Sequence, residues 1–81
     1  MIQANKDLYQ EINIIVGVIK LSGNVVFVKK LEDALSISTV PSEVLGETRL
    51  ALENLNSTKL PEQLSIKNQV EGALNYLNKI P

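Results

Sequence analysis

Cysteine and histidine are both absent from these 81 residues. Without cysteine there is no disulfide framework and no thiolate metal site. Without histidine the chain lacks the commonest general base and the commonest metal ligand, and no serine-hydrolase triad can be assembled. Tryptophan is missing as well, which leaves Tyr9, Phe27 and Tyr76 as the only aromatics. Basic residues are scarce and dispersed, with Lys29-Lys30 the only adjacent pair. A net charge of −1 gives no general attraction to nucleic acid or to an anionic membrane surface. A helix-turn-helix across Thr39 to Asn56 would offer the phosphates Arg49 alone, among Glu43, Glu47 and Glu53.

Long hydrophobic runs are lacking too. The most apolar stretch, between Glu11 and Lys20, is too short to span a bilayer. The amino-terminal MIQANKDLYQE lacks the basic-then-apolar layout of a signal peptide. A cytoplasmic protein is the expectation. The glycines, Gly17, Gly23, Gly46 and Gly72, are scattered and form no phosphate-cradling loop. Carboxylates do pair up as Asp7 with Glu11, Glu32 with Asp33, and Glu43 with Glu47. Such pairs recur on almost any solvated helix, so an acid/base couple is not read from them. No catalytic residue, cofactor or metal site is expected, and the chain does not read as an enzyme.

What the chain does have is helical spacing. At 44% apolar and 21% charged it has the composition of a single globular domain over residues 1–81. Leu8, Ile12, Ile15, Val16 and Ile19 follow i, i+4, i+7, i+8, i+11, one stripe of a helix. Ile14, Val18 and Leu21 widen that stripe, which predicts a helix in the middle of a bundle. Asn5 is its expected N-cap and Gly23 its left-handed C-cap, after a polar lead-in from Met1 to Lys6. The β-branched run Val25 to Val28 leaves a strand open as an alternative, but Val25, Val28, Leu31 and Leu35 also share a helical face. On that helix Lys29 and Asp33 are spaced to pair across one turn.

Pro41 and Pro61 each mark a helix start. Val44, Thr48, Ala51, Leu52 and Leu55 repeat the spacing of the first helix. Ile66, Val70, Ala73, Leu74 and Leu77 repeat it again, in a helix expected to run on to Lys79. The fold class predicted is all-α, an antiparallel bundle of about four helices joined by short connections. Gly17, Gly46 and Gly72 fall inside these helices, where each costs about 1 kcal/mol relative to alanine. Close helix–helix approach is the expected compensation, a helix irregularity the other.

Charge is unevenly placed. From Leu31 to Thr58 the acids are Glu32, Asp33, Glu43, Glu47 and Glu53 and the only base is Arg49, a local charge of −4. That can be an ordinary solvated face, or a docking surface for a basic protein, where complementary charge speeds encounter and fixes register. The succession IKLSG, VKKLEDAL and VLGETRLALENL, spanning Ile19 to Leu55, resembles small all-helical immunity proteins of contact-dependent growth inhibition systems. The resemblance implies a cytosolic protein that binds and blocks a toxin domain, often a nuclease with a basic groove. It transfers no catalytic residues and no partner contacts. A different class of function, a structural or regulatory homodimer, would use apolar positions off the core stripes: Val26, Phe27, Leu45, Leu50, Leu60 and Leu64.

Overall fold

The computed structural model describes Ile2 and residues 4–79. Its elements are α1 (Asn5–Leu21), α2 (Val25–Leu35), α3 (Pro41–Asn56), the single turn α4 (Leu60–Gln63) and α5 (Lys67–Lys79). No strand occurs among the described residues. The run at Val25 to Val28 is therefore helical, its propensity overridden by burial of Val28, Leu31 and Ala34 on one face. The expected face is rotated slightly: Val25 is exposed and Leu35 only half-buried.

The helices close into a ring. α1 packs against α2 and α5, α3 packs against the same two, and α4 bridges α3 and α5. Among the described residues the backbones of α1 and α3, and of α2 and α5, stay more than 8 Å apart across the core. The shortest principal extent is 20 Å, about two helix diameters, so the layer is two helices deep. All five positions of each expected stripe on α1 and α3, and on the Ile66–Leu77 segment, are buried. One continuous core joins nearly all of them with Val28, Leu31 and Ala34.

α1 is not the centre of the bundle. It has two neighbours rather than three, and Ile14 and Leu21 face outward at 56% and 92% exposure. Of the expected lead-in, Met1 and Gln3 lie outside the described residues, Ile2 packs on the core, and Asn5 and Lys6 are already helical. The N-cap is Ala4, without a side-chain cap bond. Asn5 has another task, since the Tyr76 hydroxyl donates to its Oδ1 at 2.7 Å and clasps α5 to the start of α1.

Past the end of α1 lies Gly23 (φ +85°), whose N–H donates to the Lys20 carbonyl while Asn24 N–H donates to the Ile19 carbonyl. These two bonds make a Schellman motif with glycine at the left-handed position. The expected helix from Pro61 to Lys79 is split by a second copy of that motif. Ser65 N–H donates to the Glu62 carbonyl and Ile66 N–H to the Pro61 carbonyl, with Ser65 at φ +59°. α5 then starts afresh at Lys67, whose Nζ reaches Asn56 Oδ1 at 3.2 Å. The three helix glycines are not sites of close approach. A Cβ on Gly17, Gly46 or Gly72 would meet nothing within 4 Å.

Candidate functional site

The α2–α3 seam carries the feature that folding alone does not use. On α3 the residues Glu43, Glu47, Leu50 and Asn54 follow i, i+4, i+7, i+11, a stripe beside the buried one. Ile37, in the link after α2, is brought against this stripe. Two open clefts of about 320 Å³ each result, both lined by Ile37, Glu47 and Leu50. The first adds Lys30, Asp33, Ala34, Ala51 and Asn54. The second adds Glu43, Gly46 and Arg49, and Gly46 leaves its floor without a side chain. Ile37 and Leu50 are 55% and 52% exposed, apolar surface set between carboxylates.

The acidic residues do not act as one cluster. All of Glu32, Asp33, Glu43, Glu47 and Glu53 are exposed. Asp33, Glu43 and Glu47 line the joined clefts. Glu53 instead pairs with Arg49 across one turn at 3.7 Å, and Glu32 lines neither cleft. The expected pair of Lys29 with Asp33 does not close. Lys30 lies over the Phe27 ring, 5.7 Å from its centroid.

The apolar set expected for self-association divides as well. Phe27, Leu45, Leu60 and Leu64 are partly buried against the core, while Val26 and Leu50 remain exposed. Ile37 was not legible as a surface residue because SISTV has no periodicity to give it a face. Its signal is the isolated large side chain in a hydroxyl-rich link, just ahead of the acidic stripe.

A larger cleft of about 470 Å³ lies between α1 and α5. Asn68, Gln69, Asn75 and Tyr76 line it with Ile2 and Gly72, beside Glu11 and Lys79. Among the described residues no three potential metal-binding side chains come together. No helix among them is long and apolar enough to cross a membrane. In the core, Thr48 is fully buried and its hydroxyl has no hydrogen-bond partner among the described residues. No protein-family model, curated protein sequence or solved structure matches this chain.

Proposed function

We propose that this chain is a non-enzymatic protein-binding module of the cytoplasm, and most concretely an immunity protein that binds and neutralises a cognate toxin domain. Its long helices serve as an up-down-up-down antiparallel bundle that presents the α2–α3 seam. The observation that carries the reading is the pair of joined clefts, where exposed Ile37 and Leu50 sit among Asp33, Glu43 and Glu47. Apolar anchors inside a ring of like charge suit a partner with apolar side chains flanked by lysine or arginine. A basic toxin domain, such as a nuclease that must hold phosphates, has that surface.

Asp33, Glu43 and Glu47 are the central charges in this scheme. Glu32 and Glu53 stand at the rim, and Glu53 already shares Arg49. Nucleic acid and membrane are not proposed as partners, because the cleft charges would repel phosphate. The test is to read the adjacent upstream frame for a large secreted protein with a variable carboxyl-terminal domain, and to co-express that domain with this chain. Protection from growth arrest, with a complex that survives purification, is expected. Growth arrest undiminished by the chain, with no complex at micromolar concentrations, would sink the proposal.

A further inference from the structure

α2 carries its charge in two adjacent blocks, Lys29-Lys30 and Glu32-Asp33, on either side of Leu31. That order runs against the helix. The macrodipole favours acids at the amino-terminal end and bases at the carboxyl-terminal end, yet α2 has no acid in its first turn and no base in its last. A lysine placed before an acid is also the weaker order for an i, i+4 pair. Accordingly, Lys29, Lys30, Glu32 and Asp33 enter no ion pair among the described residues. Among the described residues the face that bears them is unpartnered, since α2 packs there against α1 and α3 alone.

The same face is complementary to itself once reversed. At about 100° per residue, Lys29 and Glu32 lie toward one edge of the exposed surface and Val26, Lys30 and Asp33 toward the other, and the link residue Ile37 shares a cleft with Lys30 and Asp33 on that second edge. A two-fold axis perpendicular to α2 near Leu31 lays like edge on like edge and reverses the direction. Lys29 then meets Glu32 of the second copy, and Lys30 meets its Asp33, each pair formed twice by symmetry. The registers of the two edges agree to within one residue, about 1.5 Å of helix rise. On the second edge, Val26, 66% exposed, falls over Ile37 of the other copy, whose cleft also contains Leu50. The two macrodipoles oppose each other, and each blocked end of α2 gains the counter-charge its own chain withholds.

We infer that a second copy of this chain docks antiparallel on the outer face of α2, in a two-fold dimer closed by Lys29–Glu32 and Lys30–Asp33 pairs. The interface is isologous, so it ends at two copies and does not propagate. It covers Asp33, Ile37 and Leu50, so the dimer and a protein bound in the α2–α3 clefts exclude one another.

Sedimentation velocity across the micromolar to millimolar range is the test, with circular dichroism as the check on folding. The wild-type chain should show a monomer–dimer equilibrium that weakens with salt. Lys29→Glu with Lys30→Glu, or Glu32→Lys with Asp33→Lys, should raise the dissociation constant by roughly a hundredfold through like-charge contact. An equimolar mixture of these two variants should dimerise again, as should the fourfold swap, which keeps the net charge. A wild-type chain monomeric throughout, or a dimer unmoved by either reversal, overturns the inference. A monomer that still binds a basic toxin domain would overturn it and leave the docking proposal standing.

Discussion

The two faces of α3 use the same spacing for different ends. Inward, Val44, Thr48, Ala51, Leu52 and Leu55 are all buried. Outward, Glu43, Glu47, Leu50 and Asn54 keep the helical period but take no part in the core. Leu52 and Leu50, two residues apart, are 0% and 52% exposed. The inner stripe is explained once the bundle is formed. The outer stripe is not: an apolar anchor held among carboxylates adds little to folding, and a single exposed leucine would need no comment. Its continuity with Ile37 across two clefts is what separates it from scattered surface apolarity.

That contrast can be broken from the inside first. Leu52→Asp should abolish the cooperative thermal transition seen by circular dichroism, because a buried unpaired carboxylate costs on the order of 5 kcal/mol. A small domain has little more stability than that. Leu50→Asp, the same change on the outer face, should leave the melting transition within about 0.5 kcal/mol of wild type. It should nevertheless weaken binding of a toxin domain by about 2 kcal/mol, as loss of a central anchor does. Equal damage to stability from both changes would erase the distinction between the faces.

Smaller effects sharpen it. Thr48 is the one polar member of the inner stripe, and its hydroxyl is buried without a partner among the described residues. Thr48→Val should therefore raise stability by about 1 kcal/mol in urea unfolding, since an unpaired buried hydroxyl has only a desolvation penalty. Ser65→Gly should add roughly 0.5–1 kcal/mol by relieving a left-handed residue that bears a Cβ. A loss of stability at Ser65 would mean that its side chain holds the α4–α5 turn by some contact other than the backbone bonds.

Much of the fold was legible because burial follows the period of 3.6 residues. Every buried position on the α1 and α3 stripes, and on Ile66 to Leu77, carries that signature. Direction was less legible than apolarity. Ile14 and Leu21 are as apolar as their neighbours, and nothing local records that α1 has two packing partners instead of three. The two Schellman turns show the same limit in the backbone. Gly23 announces a left-handed residue, whereas Ser65 adopts the conformation without the residue that signals it, so α4 and α5 read as one helix. At the candidate site the acidic excess was visible in one dimension. Its division was only half visible: Arg49 and Glu53 are spaced to pair within α3 itself, whereas only packing of α2 on α3 brings Asp33 to Glu47.

The central claim is that the outer face of α3 is a docking surface for a basic protein. It is tested most directly by the affinity of Glu43→Lys with Glu47→Lys for the toxin domain, at low and at high salt. Helicity should match wild type, since both glutamates are exposed, and stability should fall by no more than about 1 kcal/mol, the cost of a lysine in place of the first-turn acid Glu43. Affinity should fall by about 2–5 kcal/mol if these charges are desolvated at the centre of the interface. Part of that loss should appear as slower association, with a flattened dependence on salt. Wild-type affinity and wild-type protection at both salt concentrations would contradict the claim, leaving these acids as a solvated face.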